Sequence, residues 1–163
     1  MKSGMETDRL GTKRWYKDGL LNSDNDLPAE EWTNGTKLWY KHGLLHRDND
    51  LPAVEFYHGE KRWYKNGKFH RDNDLPAIEF DHGTKLWYKN GNLHRDDDLP
   101  AMEFSNGYKR WYKNGIGYTP TTVGNVTSSN VSNATLVNDY KCTCCGKYNT
   151  KSTGKCWLCE VIW

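Results

Sequence analysis

The sequence predicts an all-β protein: repeated β-hairpins in one elongated, single-layer antiparallel sheet, followed by a small cysteine-bearing module. Three observations predict it: a 24-residue repeat, strand-like alternation inside each repeat, and a tight-turn dipeptide between the alternating runs. Three residue types recur in fixed phase, at Gly11, Gly35, Gly59, Gly83, Gly107, Trp15, Trp39, Trp63, Trp87, Trp111, Pro28, Pro52, Pro76 and Pro100. Such a period is typical of small units that bury their apolar faces only against their neighbours.

The fourth repeat shows why each unit is interpreted as two strands. Residues 84–89 alternate apolar and polar side chains, as a half-buried strand does. Asn90-Gly91 is a strong signal for a tight hairpin turn. A second strand is predicted at residues 101–104, with Pro100 at its start because proline cannot donate to a ladder from a central position. Glycine, proline and asparagine recur too often for a helix.

The repeat also divides the chain into segments. They are a polar lead (1–10), four repeats (11–34, 35–58, 59–82, 83–106), a half repeat (107–117), a flexible Ser/Thr/Asn-rich linker (118–140) and a cysteine-bearing module (141–163). The first repeat is atypical, with Glu30 where other repeats carry Val, Ile or Met, and Asn22-Ser23 where they carry His-Arg. We interpret it as a cap, because one side of an end repeat faces water.

Alternation further predicts which side chains share a face. Trp87 is expected to lie on the same face as Lys85 and Lys89, whereas Met102 and Phe104 point together into an apolar stripe along the sheet. The lysine-flanked tryptophans have two interpretations. They form a packed face that lysine stems cover, which is favoured, or a platform that stacks the bases of single-stranded nucleic acid.

The repeat unit has a recognisable pattern, Gly-Thr-Lys-Leu-Trp-Tyr-Lys-x-Gly-x-Leu-His-Arg-Asp-Asn-Asp-Leu-Pro-Ala-x-Glu-Phe. It resembles the MORN-type (membrane occupation and recognition nexus) repeat, most closely the divergent variant of giant DNA viruses, phages and some bacteria. The resemblance covers residues 11–117 and rests on Gly-x4-Tyr-x-x-Gly in every unit. The period of 24 and the Arg-Asp-Asn-Asp-Leu-Pro-Ala segment depart from the ordinary pattern. The resemblance implies side-by-side hairpins, a viral origin and a protein-interaction or scaffolding role, with lipid binding often proposed for relatives.

Composition narrows the function classes. The net charge is +2, and basic and acidic residues balance within the array, which does not favour non-specific nucleic-acid binding or attachment to a membrane surface. No apolar run approaches the ~18 residues of a transmembrane span, and residues 1–10 lack the apolar stretch of a signal peptide, so we expect an intracellular protein. No nucleophile–base constellation stands out, so no enzyme is expected; the rival considered is a hydrolase using an aspartate loop.

The strongest candidate site is the tail. All five cysteines lie between Cys142 and Cys159, and two Cys-x2-Cys pairs separated by ten residues suit one tetrahedral, structural zinc ion. The predicted ligands are Cys142, Cys145, Cys156 and Cys159, in a module that resembles a small zinc ribbon. Cys144 leaves an ambiguity, because it offers a Cys-x-Cys pairing with Cys142. The alternative to a zinc site is an unmetallated tail or adventitious disulfides.

Two further sets of residues recur in phase. The acidic loops 24–26, 48–50, 72–74 and 96–98 offer oxygen ligands for calcium, but Asx-turns explain aspartate and asparagine there without a metal. The histidines His46, His70 and His94 lie two strands apart in a hairpin array, roughly 9–10 Å, too far for one ion. We expect each histidine or its following arginine to bond a carbonyl or the glutamate of the next strand, namely Glu55, Glu79 and Glu103.

The sequence as a whole predicts a non-catalytic repeat scaffold for protein–protein interaction, with the zinc module as a second docking site. The alternative is a nucleic-acid-binding protein that contacts DNA or RNA through the zinc ribbon. The positive charge of the four tail lysines is, however, largely offset by Glu160 and by the −2 charge of a zinc–tetrathiolate cluster. Open strand edges at both ends of the array also offer sites for edge-to-edge self-association.

Overall fold

The computed structural model of the chain describes residues 2–120 and, nearer the C-terminus, the backbone of residues 140–141 and 148–149. The chain forms two compact units, Met1–Thr122 and Val123–Trp163. The described residues form strands and turns and contain no helix. The predicted all-β fold, a large antiparallel sheet of hairpins, is therefore confirmed.

The strands are short, and most contain two residues. In the first unit they are β1 (Gly4–Thr7), β2 (Lys13–Lys17), β3 (Leu20–Leu21), β4 (Glu30–Glu31), β5 (Lys37–Leu38), β6 (Tyr40–Lys41), β7 (Leu44–Leu45), β8 (Val54–Glu55), β9 (Lys61–Arg62), β10 (Tyr64–Lys65), β11 (Lys68–Phe69), β12 (Ile78–Glu79), β13 (Lys85–Leu86), β14 (Tyr88–Lys89), β15 (Asn92–Leu93), β16 (Met102–Glu103), β17 (Lys109–Lys113) and β18 (Ile116–Tyr118). In the second unit β19 (Tyr140–Lys141) pairs with β20 (Tyr148–Asn149) in an antiparallel ladder.

The main sheet is an antiparallel meander in the order β1-β2-β4-β5-β8-β9-β12-β13-β16-β17-β18, and β3 also pairs with β2. Each internal unit contributes two strands to it. We call the strand before the tryptophan the first strand and the strand after the acidic loop the second strand. Each internal first strand pairs on both sides: Lys37 lies opposite Glu31 and Glu55, and Leu38 opposite Glu30 and Val54. Lysine and glutamate therefore alternate along one face of the sheet.

A row of hairpins continues the first strands beyond the tryptophans. In the second repeat β6 pairs with β7, and the turn between them has positive φ at both His42 (52°) and Gly43 (76°). Two left-handed residues define a type I′ turn, whose twist matches the flanking strands. The Gly43 N–H donates to the Leu21 carbonyl of the preceding hairpin, at 2.9 Å. The hairpins are thus linked to one another as well as to the sheet.

The predicted alternation of faces breaks at the tryptophan. Leu86 and Trp87 are neighbours in sequence, yet both are buried, whereas Lys85 and Lys89 are exposed. The backbone N–H of Trp87 leaves the regular ladder and donates to the Ala101 carbonyl at 2.8 Å. Because the chain passes from the main sheet into the hairpin at this residue, the period of two is lost. The expectation that Trp87 lies on one face with its flanking lysines is therefore wrong.

The core is a thin row of residues that repeats along the array. Alanine fills the most enclosed position of each unit and is fully buried, at Ala29, Ala53, Ala77 and Ala101. The internal tryptophans, two leucines of first strands and part of the predicted apolar stripe complete it, at Trp39, Trp63, Trp87, Leu38, Leu86, Val54, Ile78 and Met102. The other part of that stripe is wrong as a core prediction, because the Phe104 position is only half-buried in the second to fourth repeats and Trp32 is 38% exposed. These side chains meet those of adjacent units, so the stability of the array is a sum of neighbour contacts.

The two ends of the array are closed by different side chains. β1 lies in the predicted polar lead and pairs with β2 as an edge strand. In the first repeat Asn22 Oδ1 accepts the His42 N–H at 3.2 Å, and Ser23 Oγ accepts the Tyr40 N–H at 3.0 Å. These bonds join the first repeat to the second, in the place of the bonds that His46 and its equivalents make between later units. At the other end the Tyr118 hydroxyl donates to Asp98 at 3.1 Å.

Candidate functional site

Many of the ion pairs of the array lie along the row of acidic loops between the hairpins and the second strands. In the loop 48–50, Asn49 (φ 61°) and Asp50 (φ 55°) are both left-handed, and the other three loops have the same geometry. Asparagine and aspartate tolerate this conformation better than other residues with a side chain. The sequence signal for a turn is therefore confirmed at these positions.

From the second repeat onward, the first carboxylate of each loop accepts hydrogen bonds from a lysine and a histidine of its own unit. Asp48 accepts hydrogen bonds from His46 Nε2 at 2.9 Å and from Lys41 Nζ at 3.0 Å. These bonds, with that of His46 foremost, hold the pKa of Asp48 below its usual value. In the fourth repeat the Lys89 ammonium and then His94 lower the pKa of Asp96 to about 2.

In the first three loops the third residue is an aspartate that binds the arginine of the following unit. Arg71 donates through Nε and Nη2 to Asp50, at 3.0 Å each. Its Nη1 donates to Glu79 at 3.0 Å and to the Pro76 carbonyl at 3.3 Å. Its guanidinium also lies 3.8 Å from the ring centre of Trp63. One arginine therefore joins two acidic side chains, a backbone carbonyl and a core tryptophan.

The same arrangement recurs at Arg47 and Arg95. Arg47 pairs with Asp26 and Glu55, and Arg95 pairs with Asp74 and Glu103. Hydrogen bonds from Arg47 lower the pKa of Asp26. The predicted pairing of arginine with the glutamate of the next strand is confirmed in all three units.

The histidine column is structural. His46 donates from Nε2 to Asp48, and its Nδ1 accepts the backbone N–H of Asn66, in the hairpin turn of the next unit, at 3.1 Å. His70 and His94 make the equivalent bonds to Asn90 and Asn114. These bonds assign the neutral Nε2–H tautomer to the ring. Because both nitrogens are engaged, neither is available to coordinate a metal ion.

The tryptophan rings also anchor the loops. Trp63 Nε1 donates to the backbone carbonyl of Asp50 at 2.9 Å, and Trp39, Trp87 and Trp111 make the same bond to the loop before them. The buried ring therefore supports packing of the lysine-flanked tryptophans as part of the core. A buried indole N–H needs such a partner.

Two shallow grooves, of about 370 and 320 Å³, lie between successive loops. Their carboxylates are already bound: Asp26 to Arg47, Asp48 to His46 and Lys41. Within residues 2–120 no three His, Cys, Asp or Glu side chains converge as metal ligands do. The oxygens that calcium would require are thus engaged by side-chain donors of the chain, which supports the Asx-turn explanation of the loops.

The lowered carboxyl pKa values predict acid sensitivity. A carboxyl group with a folded pKa below its unfolded value stabilises the protein above about pH 4, and this stabilisation is lost as the pH falls through the folded pKa. For Asp96 that pKa is about 2. We therefore expect the melting temperature to fall between about pH 4 and pH 2. Circular dichroism melts will measure it. A variant with Asp48, Asp72 and Asp96 changed to Asn should show a shallower fall, and an identical fall would contradict the assignment.

The predicted zinc ligands Cys142, Cys145, Cys156 and Cys159 lie outside the described residues, as does Cys144. The strands beside the first pair are described. Tyr140 lies opposite Asn149 and Lys141 opposite Tyr148, so the two residues that flank the segment 142–147 pair in a β-ladder. This segment carries the first Cys-x2-Cys pair.

One part of the network was not predicted: the arginine stacks on tryptophan and binds the aspartate of the preceding unit. A signal for it is present at the ends of the array. The arginine position is Ser23 in the first repeat, which has no acidic loop before it, and Thr119 after the last tryptophan. Arginine therefore occurs only where a tryptophan, a preceding loop and a following glutamate are all available.

Among residues 2–120 and the two short strands of the tail, no helix is long and apolar enough to cross a lipid bilayer. The chain matches no known protein-family model, and no curated protein is significantly similar to it in sequence.

Proposed function

We propose that this protein is a non-catalytic scaffold whose β-hairpin array binds other proteins, with the cysteine module as a second docking site. The observation that carries the proposal is the arginine network. Arg71 bonds Asp50 of the preceding unit and Glu79 of the following strand. Each internal unit is therefore fixed to its neighbours. The result is a surface on which the same exposed groups recur at a constant spacing, as repeat proteins use for binding.

Several details support binding rather than catalysis. The histidines and the first and third loop aspartates pair with other side chains of the array, so their donors and acceptors serve the fold. Exposed lysines form a regular row on the hairpins, represented by Lys65 (54% exposed) and Lys89 (52%). Each lies beside an aspartate, so the row carries no net excess of positive charge. The MORN-like repeat pattern points to the same scaffolding role.

The cysteine module is proposed to hold one structural zinc ion through Cys142, Cys145, Cys156 and Cys159. The β19–β20 ladder supports this, because it pairs Lys141 with Tyr148, the residues on either side of the segment that carries Cys142 and Cys145. Four thiolates leave no open coordination position, so zinc would fold the module rather than activate water. Thiolate ligands need a reducing compartment. The proposal therefore places the protein inside a cell, in infected host cytoplasm or a virion given the giant-virus resemblance.

Affinity capture with the full-length protein tests the scaffold. We expect the wild type to retain a defined set of proteins after nuclease treatment. The double variant Lys65→Ala and Lys89→Ala should lose members of that set, because it removes two adjacent members of the lysine row. Exposed ion pairs contribute only about 0–1 kcal/mol, so folding should persist. The control is Lys85→Ala, an exposed lysine of the main sheet rather than of the hairpins.

Two results would contradict the proposal. Loss of all captured proteins on nuclease treatment would favour the nucleic-acid alternative. If the double variant Lys65→Ala and Lys89→Ala captured the same proteins as the wild type, the lysine row on the hairpins would not be the binding surface. Metal analysis of the same samples should give one zinc per chain, reduced in Cys156→Ser with the array spectrum unchanged.

A further inference from the structure

The first repeat contains the groups that bind the network arginine in later repeats, but not the arginine itself. In the second to fourth repeats one arginine lies over the tryptophan of its own unit, 3.7–3.9 Å from the ring centre, in the pairs Arg47–Trp39, Arg71–Trp63 and Arg95–Trp87. Its Nη1 donates to a proline carbonyl at 3.2–3.3 Å and to the glutamate of the following strand at 3.0–3.2 Å. In the first repeat the arginine position is Ser23.

The backbone of the first repeat holds the three partner groups as the later repeats do. The equivalents are the Trp15 ring, the Pro28 carbonyl and the Glu31 carboxylate. The Trp15 N–H donates to the Ala29 carbonyl at 2.8 Å, which is the distance of the equivalent bond in each internal unit. Glu31 lies opposite a lysine of each neighbouring strand, as the internal glutamates do. The ring, the carbonyl and the carboxylate therefore keep their internal arrangement.

No group of the described chain replaces the arginine in this place. Within residues 2–120 no cation lies over the Trp15 ring, and the ring is half-buried where the internal tryptophans are buried. In the same range the Pro28 carbonyl accepts no hydrogen bond, and Glu31 pairs only with Lys13, at 3.7 Å. Serine is too short to cover the ring, and Ser23 Oγ already accepts the Tyr40 N–H.

The exposure of a neighbouring leucine agrees with an uncovered site. Leu27, next to Pro28, is 63% exposed, whereas its equivalents Leu51, Leu75 and Leu99 are each 38% exposed. Leu99 has an arginine in its own unit but none in the following unit, where the position is Thr119. The arginine of the same unit therefore accounts for the difference, and its place beside Leu27 is open to solvent.

The three internal copies of the site show which ligand it accepts. The ligand is a planar cation that stacks on an indole face and donates from its edge to a carbonyl and a carboxylate, which describes a guanidinium. An ammonium is a compact point charge and does not stack in this way. The internal arginines also bind an aspartate of the preceding loop, and the first repeat has no such loop. The outer edge of a bound guanidinium would therefore face water.

We propose that Trp15, Glu31 and the Pro28 carbonyl form a subsite for the guanidinium of an arginine that another polypeptide supplies. The use of this subsite rests on the proposed scaffold function, and it names the side chain that one docking point accepts. Anchoring arginines are common in the centres of protein interfaces.

The arginines of the chain itself leave one internal candidate. Residues 121–163 contain no arginine, so the C-terminal unit does not supply the guanidinium. Arg110 hydrogen-bonds Tyr108 and Tyr112. Five further arginines form ion pairs with carboxylates of the array, namely Arg14, Arg47, Arg62, Arg71 and Arg95. Arg9 is exposed. The guanidinium therefore comes either from a different protein or from Arg9 of a second copy.

A small probe tests the subsite in the full-length protein. N-acetyl-arginine methylamide should shift the Trp15 indole N–H resonance saturably in an ¹⁵N–¹H spectrum. The corresponding lysine derivative should bind about fivefold more weakly, because it lacks the stacking plane. Glu31→Gln should weaken the binding of the arginine probe. Asp81→Asn is the matched control, because it removes the same charge from an exposed turn two repeats away and should leave binding unchanged.

Ser23→Arg places the guanidinium in the chain itself. The variant should fold, because arginine holds this position in three other repeats, and it should no longer bind the probe. Circular dichroism will confirm the fold. No saturable shift in the wild type, or an unchanged shift in a folded Ser23→Arg variant, would overturn the proposal.

Two further measurements identify the source of the arginine. Self-association in analytical ultracentrifugation that both Arg9→Ala and Ser23→Arg abolish would assign it to a second copy. Proteins that the wild type captures, that Ser23→Arg and Glu31→Gln both lose and that the arginine probe displaces would assign it to a different protein. If neither result is obtained, the subsite has no docking role and the proposal fails. The scaffold function would still stand or fall on the separate test of the lysine row.

Discussion

Replacing Trp63 by alanine is expected to lower the free energy of unfolding by about 3–5 kcal/mol, the usual cost of removing a buried tryptophan. The side chain is 6% exposed and lies in the middle of the array. Its loss uncovers Arg71, which stacks on the ring, and removes the bond to the Asp50 carbonyl. A guanidine hydrochloride titration followed by circular dichroism will measure the change.

Two matched variants separate the contributions to this effect. Trp63→Phe keeps an aromatic ring but removes the indole N–H. It should therefore lower the free energy of unfolding by less than Trp63→Ala does, because part of the packing is retained. Trp111→Ala removes the equivalent ring at the end of the array, where no arginine stacks on it and burial is only partial. Equal losses at Trp63 and Trp111 would contradict the idea that neighbouring units supply most of the stabilisation.

The position of the substitution should also affect cooperativity. In an array stabilised by neighbour contacts, weakening an internal unit uncouples the halves on either side. We expect the Trp63→Ala transition to broaden, whereas the Trp111→Ala transition should keep its slope and lose only the end unit. The comparison makes the same chemical change at the same position of two different repeats, one internal and one at the end of the array.

Local signals in the sequence predicted the turns and the first and second strands of each repeat, but not the return strands of the hairpins, β3, β7, β11, β15 and β18. The dipeptide Asn90-Gly91 gave a turn because both residues accept positive φ, and the structure has 52° and 88° there. The alternation failed at Trp87 because its N–H bonds Ala101, 14 residues away in sequence. No local pattern shows that a chain leaves one ladder and enters another at a given residue. The edge strand β1 was missed for a similar reason, since four exposed residues carry no apolar pattern.

The site was predicted in part for the same reason. The bond from Arg71 to Glu79 joins residues of one unit, so the repeat pattern suggested it. The bond from Arg71 to Asp50 joins two units, and its geometry depends on how hairpins stack. Sequence phase alone does not specify that offset. The stacking on Trp63 follows from the same offset, because the arginine reaches Asp50 by passing over the ring.

Arg71→Ala is the second substitution with a large expected effect, about 2–3 kcal/mol, because it breaks charge-assisted bonds and a cation–π contact together. Arg71 is 12% exposed, whereas Asp50 (42%) and Glu79 (36%) are more accessible. Water can therefore solvate the two carboxylates after the change, which keeps the loss below the about 3–5 kcal/mol of a fully buried pair. Urea denaturation at moderate salt will measure it.

Arg71→Lys distinguishes the shape of the guanidinium from its charge. Lysine retains a positive charge but cannot bind Asp50 with two nitrogens while also reaching Glu79 and the Pro76 carbonyl. We expect it to recover less than half of the stability lost in Arg71→Ala. Full recovery by lysine would mean that charge alone joins the units. A loss below about 1 kcal/mol in Arg71→Ala would mean that the arginine behaves as an ordinary surface ion pair, and the array would then be held together by its tryptophan and alanine core.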